Sequence, residues 1–183
     1  MRELALHILD ILQNASEAGA SQVALTIDED QAADRLTITV RDNGRGMDEA
    51  TVARAVNPFF TSRTTRHVGL GLPLLAAATE RAGGQLTIQS APGVGTTVTA
   101  TFQLRHPDRQ PLGDMAATLL ACLLGEKNLD LQYEHRTARD TFAFHTADIR
   151  AVLGDDVELG DPVVRQWLSE FLAEGEESVK RDS

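Results

Sequence analysis

A single cysteine excludes a disulfide within the chain. Cys122 sits in the run Leu119-Leu120-Ala121-Cys122-Leu123-Leu124, where a small buried side chain is expected and a reactive thiol is not. Basic residues are scarce: 17 Lys and Arg face 27 Asp and Glu, a formal charge of −10, and no block of Lys or Arg stands out. Such a surface disfavours phosphate backbones and anionic lipid, so neither nucleic acid nor membrane is an expected partner. Also missing is any apolar run near the ~18 residues of a membrane helix. Glu3, His7 and Asp10 interrupt the N-terminal apolar stretch, which therefore lacks the character of a secretion signal; a cytoplasmic protein is expected. Internal repeats and low-complexity segments are absent. What remains is ordinary for a globular protein: 183 residues at 42% apolar content, enough for one domain plus a substantial appendage, or for two small domains.

The most informative stretch is Asp42-Asn43-Gly44-Arg45-Gly46. Before it, Leu36, Ile38 and Val40 alternate with Thr37, Thr39 and Arg41, the period of a half-buried strand that delivers Asp42 to the lip of a core. Gly44 and Gly46 allow positive φ and a close approach to the backbone, and the Asp42 carboxylate can accept a hydrogen bond from an amine-bearing ring. The plainer reading is a strand ending in an ordinary Asn-Gly turn.

Glu3 to Ala18 reads as a helix ended by Gly19, on which Glu3, His7, Asp10, Asn14 and Glu17 form one polar stripe on a largely apolar cylinder. The stripe faces either a wet cavity within the protein or plain solvent. Gln22 to Ile27 and Leu36 to Val40 read as a hairpin whose turn takes in Asp28-Glu29-Asp30. Asp48 caps a short helix to Val56, and Pro58 stops it before Phe59-Phe60. Thr61 to Val68 is a polar, basic candidate loop ending at Gly69-Leu70-Gly71-Leu72, which opens a helix to about Arg81. Two strands then flank the turn Pro92-Gly93-Val94-Gly95. His106 to Pro111 marks the expected boundary between residues 1–106 and 107–183. Beyond it come a helix from Gly113 to Gly125, a hairpin from Leu129 to His145, a short helix near Ile149, an acidic helix from Pro162 to about Ala173, and a charged tail from Glu174 expected to fray.

A buried helix with Asp10 and Asn14 one turn apart, a strand ending in Asp-x-Gly-x-Gly, a basic loop, and a glycine pair at a helix start together describe a nucleotide site. Asn14 offers an amide oxygen to Mg²⁺, which takes oxygen ligands. Asp10, one turn earlier, is placed to polarise a water. Asp42 would read the adenine amine, Gly69 and Gly71 would turn backbone amides toward phosphate, and Arg63 and Arg66 would add positive charge.

These residues resemble the GHKL ATPases, named for gyrase, the heat-shock chaperone, histidine kinases and MutL. Leu9 to Ala20 looks like the family's N box, Asp42 to Gly46 like its first glycine box, and Pro58 to Thr61 like the F box of histidine kinases. Gly69-Leu70-Gly71-Leu72 looks like the second glycine box, and Pro92 to Thr96 like the last box. The likeness covers Met1 to about Arg105, and its nearest form is the histidine kinase-like ATP-binding domain of stand-alone bacterial proteins. It implies an α+β fold, the Bergerat-type two-layer α/β sandwich, holding ATP and Mg²⁺. It makes Asn14 the metal ligand, Asp42 the adenine reader, Thr96 its supporting hydroxyl, and Gly44, Gly46, Gly69, Leu70 and Gly71 contacts to nucleotide. Asp10 stands where hydrolysing members carry a glutamate, and the shorter arm leaves efficient hydrolysis open.

No dimerisation helix with a phosphoacceptor histidine precedes the first box in this sequence, and His7 is expected in the core or behind the site. The expected function is phosphoryl transfer to a separate protein, or slow hydrolysis that regulates one. The alternatives are a nucleotide-gated interaction switch without catalysis and, from the anti-sigma branch, a serine kinase. Residues 107–183 would dock a partner or a second copy.

Overall fold

The computed structural model describes residues 3–56, 71–126, 129–154 and 158–180. Strands β1 (Gln22–Asp30) and β2 (Arg35–Asp42) form the expected hairpin, burying Val23, Leu25, Ile27, Leu36, Ile38 and Val40 on one face. The acidic stretch is not the turn: Asp28, Glu29 and Asp30 continue β1 as its last rungs, paired with Thr37, Leu36 and Arg35. Alternation points Glu29 to the inner face, where it meets His135 at 3.1 Å, so the carboxylate has a partner. The turn proper is Gln31 to Asp34, with Asp34 at φ 50.

β2 pairs with β4 (Gly95–Gln103), and β4 with β3 (Leu86–Ala91), all antiparallel. On the other side, β1 pairs in parallel with β5 (Asp130–Arg136), which carries β6 (Thr141–His145) as its hairpin partner. The result is one mixed six-stranded sheet, ordered β3-β4-β2-β1-β5-β6, into which the segment after Pro107 is woven.

Helices α1 (Leu4–Glu17), α3 (Gly71–Arg81), α4 (Met115–Gly125) and α6 (Pro162–Lys180) form the second layer, with α1 between α3 and α4, and α4 against α6. Two short helices complete it, α2 (Glu49–Ala55), capped by the Asp48 carboxylate on Thr51 N–H, and α5 (Thr146–Leu153). α1 buries Leu4, Ala5, Ile8, Ile11, Leu12 and Ala15 on the sheet. A leucine at such a place is worth about 2–5 kcal/mol against alanine. Cys122 is buried on α4, and burial pushes its thiol up to about 12, so it is inert as expected. The fold is a two-layer α/β sandwich.

α6 corrects one expectation. It does not end near Ala173 with a frayed acidic tail; it continues to Lys180, with Glu176 and Val179 buried. Glu176 accepts a hydrogen bond from Tyr133 Oη at 2.5 Å and faces His135 Nδ1 at 3.2 Å. Burial alone would lower the His135 pKa, but Glu176 and Glu29 on its two sides raise it to about 9. The imidazolium thus ties α6 and β1 to β5.

Candidate functional site

The polar stripe of α1 faces inward along most of its length. His7 is fully buried and Asp10 and Asn14 are half-buried, whereas Leu6, Gln13 and Glu17 are exposed. The stripe is thus buried at His7, half-buried at Asp10 and Asn14, and open to solvent at Glu17. The first residue of α3, Gly71, meets this stripe at Asp10: a Cβ on Gly71 would stand 2.8 Å from Asp10 Oδ2 and 3.2 Å from Asp10 Cβ. Gly71 is therefore required by close approach of two helices, and it sets a helix N-terminus beside the carboxylate.

His7 backs this contact. Its ring lies beside the Gly71 backbone, and Nε2 lies 3.2 Å from Gln110 Oε1. Burial lowers its pKa, with the Gln110 hydrogen bond opposing, so the ring is neutral near pH 7. Gln110 belongs to a strap that also covers the start of α1, where Leu4 N–H donates to Pro111 O and Ala5 N–H to Leu112 O. This strap was not foreseen as part of the site, since Gln110 lies 103 residues from its partner.

Asp42 ends β2 half-buried. Its Oδ1 accepts from Gly44 N–H at 2.8 Å, and its second oxygen accepts no hydrogen bond among the described residues. The loop after it is fastened on both sides. Arg45 N–H donates to Ala18 O at 2.9 Å, and Asn43 Oδ1 takes the N–H groups of Ser21 and Gln22. Gly46 has φ 68, and a Cβ there would stand 1.9 Å from Ala91 O. A Cβ on Gly44 would meet Ala18 at 2.9 Å, so both glycines are demanded by protein packing. Thr96 stands opposite Asp42 in the β2–β4 register, but its hydroxyl meets Ser90 Oγ at 2.9 Å. Ser90, which also takes Met47 N–H, was missed; the only signal for it was its place opposite Thr96 in the hairpin.

Asp10, Asn14 and Ala18 follow one another at single-turn spacing on α1. Gly71 abuts this line at Asp10 and the Asp42 loop abuts it at Ala18. Eight residues of helix put those two contacts about 12 Å apart along the axis. Neither the Asp10 nor the Asn14 side chain makes a hydrogen bond among the described residues, so both oxygens remain available between the two loops. Arg63, Arg66, Gly69 and Leu70, with the rest of the expected basic loop, lie outside the described residues.

Residues 2–106 match the family described as "Histidine kinase-, DNA gyrase B-, and HSP90-like ATPase". Among curated proteins, the chain is 41% identical over 97 residues to the sensor protein kinase FleS of Pseudomonas aeruginosa, covering 53% of this chain and 24% of that one. It is 34% identical over 119 residues to the non-motile and phage-resistance protein of Caulobacter vibrioides, covering 60% of this chain and 14% of that protein. The chain thus spans only a minor part of these relatives' length. Among solved structures, the MutL ATPase domain of Aquifex aeolicus complexed with ADP superposes with a TM-score of 0.50 at 14% identity, over 74% of this chain and 60% of that one. This last likeness concerns the fold.

Proposed function

The chain belongs to the histidine kinase-, DNA gyrase B- and HSP90-like ATPase family, homologous to the ATP-binding domains of sensor histidine kinases, and from that premise we propose that it binds ATP with Mg²⁺ and passes the terminal phosphoryl group to a separate protein or, slowly, to water. The observation that carries this reading is the line Asp10-Asn14-Ala18 stretched between Gly71 and the Asp42 loop. It supplies, in order, a carboxylate, an amide oxygen and a strand-end acceptor, all without competing partners among the described residues at the atoms concerned.

The donor set suits the nucleotide and its metal. Bound there, ATP with Mg²⁺ supplies the transferable group and the positive charge that offsets its oxygens. Asp42 accepts from the adenine amine with its second oxygen, while Gly44 N–H holds the first and fixes the rotamer. Asn14 gives its amide oxygen to the metal, a neutral ligand suited to a cation that keeps several waters. Asp10, beside the first residue of α3, takes up a proton from the attacking water or acceptor hydroxyl. Neutral His7 fills the space behind, and Thr96 with Ser90 braces the strand pair under Asp42.

Labelled ATP tests the reading. The full chain, alone and with proteins encoded beside it, is expected to release phosphate or to label a partner. Asp10→Asn is expected to cut that rate by roughly 10²–10⁴-fold with ATP affinity unchanged. If the wild type binds ATP yet neither releases nor transfers phosphate, the protein is a nucleotide-gated switch instead.

A further inference from the structure

Five of the eight aromatic residues, Tyr133, Phe142, Phe144, Trp167 and Phe171, cluster between β5, β6 and α6, and the cluster is not closed over. Beside it runs an apolar trough of about 660 Å³ between β6, α5 and α6, lined by Phe144, Ile149, Val152, Val163, Trp167 and Phe171. Val152 on α5 is 86% exposed, Val163 on α6 is 77% exposed, and Trp167, stacked on Phe171 at 5.3 Å, is 46% exposed. An exposed patch that joins two valines and a tryptophan on facing helices is what a soluble surface avoids unless something covers it. Walls so open would leave a small ligand largely in water, whereas small-molecule sites bury most of their ligand. A trough flanked by two helices fits a third helix laid along it, with anchors every third or fourth residue.

The charges say which helix. Asp148 lines the trough, and Glu174 follows Phe171 by three residues on the Trp167 face of α6; both are exposed. Arg165 lies across α6, at a separate hollow beside Gly160 and Pro162. The His145 ring is engaged by Asp130 at 2.9 Å. Among the described residues, the charged side chains offered along the trough are therefore acidic, on a chain of net charge −10. A second copy would bring like charges together, and a basic partner would not. We propose that the trough docks an amphipathic helix of a separate protein, apolar on one face and flanked by Lys or Arg.

Trp167 is the chain's one tryptophan, so its fluorescence reports the site directly. The test titrates the full chain with a synthetic helical peptide of about five turns, Leu along one face and Lys on the flanks, and with its counterpart carrying Glu for every Lys. The Lys peptide is expected to bind and shift the Trp167 emission to the blue, the Glu peptide to bind at least about tenfold more weakly. Asp148→Lys with Glu174→Lys should erase that preference, and Val163→Asp should abolish the shift, each variant keeping the wild-type melting temperature because the positions are exposed. The proposal is overturned if the two peptides bind alike, if neither moves the emission, or if sedimentation shows that the emission follows self-association of the chain.

Discussion

The Asp10 carboxylate occupies the space that a side chain on Gly71 would need, with Oδ2 2.8 Å from the point where a Cβ would stand. The first turn of one helix and the middle of another thus meet through a carboxylate. Gly71→Ala must turn Asp10 aside, at about 1–3 kcal/mol of overpacking. Turnover is expected to fall by roughly 10²-fold through misplacement of the carboxylate. ATP affinity should change little. Steady-state kinetics and calorimetric titration separate the two, and unaltered turnover in a folded variant would detach Asp10 from catalysis.

Asp42→Asn should weaken adenine nucleotide binding by roughly 10–150-fold. The amide can still accept from Gly44, but it loses a charge-assisted bond worth ~1.5–3 kcal/mol. Asn14→Ala should weaken only the Mg²⁺-dependent part of binding. Titrating ADP with and without metal distinguishes these roles; loss of metal-free binding in the Asn14 variant as complete as in Asp42→Asn would remove the metal assignment.

Gly46 and Gly19 both sit at positive φ, 68 and 76, yet they differ in surroundings. A Cβ on Gly46 runs into the Ala91 carbonyl at 1.9 Å, while one on Gly19 meets nothing within 4 Å. Gly19→Ala should therefore cost only the left-handed strain, about 1–2 kcal/mol. Gly46→Ala should cost clearly more and displace the loop that carries Asp42. Urea unfolding of the two variants provides the comparison, and equal losses would mean that the Ala91 contact yields freely.

His135 makes stability depend on pH. Its folded pKa, about 9, lies above the unfolded value of 6.5, so its contribution is complete below ~6.5 and is lost as pH rises through about 9. The difference corresponds to about 3 kcal/mol. Urea midpoints measured from ~pH 6 to ~pH 9.5 should fall for the wild type and stay flatter for His135→Gln. Parallel slopes in the two proteins would show that the imidazolium is not held between Glu29 and Glu176.

Much of this was legible where the signal is local. Period-two alternation placed β1 to β4, whereas the glycines at 44, 46 and 71, read as contacts to nucleotide, prove to lie where chain segments press together. What escaped was set by distant partners. Asp28 to Asp30 look like turn residues until Glu29 meets His135, 106 positions away. Glu174 to Lys180 look like a solvated tail until Glu176 reaches Tyr133 across 43 positions. A carboxylate reads as surface in any short window, because only the fold brings the group that neutralises it. The parallel pairing of β5 with β1 has no local signature either, since register across such a distance is decided by the shared core.

That pairing bears on how the chain could be divided. The family match ends at residue 106, but β1 is an interior strand only because β5 hydrogen-bonds along it from Gln22 to Asp28. A fragment stopped after residue 106 would keep every glycine box and yet present an open, apolar strand edge, a template for pairing with the next copy. It would also strip Leu4 and Ala5 of the carbonyls that receive their N–H groups. The nucleotide-binding half would then be prone to aggregate, for want of the strands and strap that follow it.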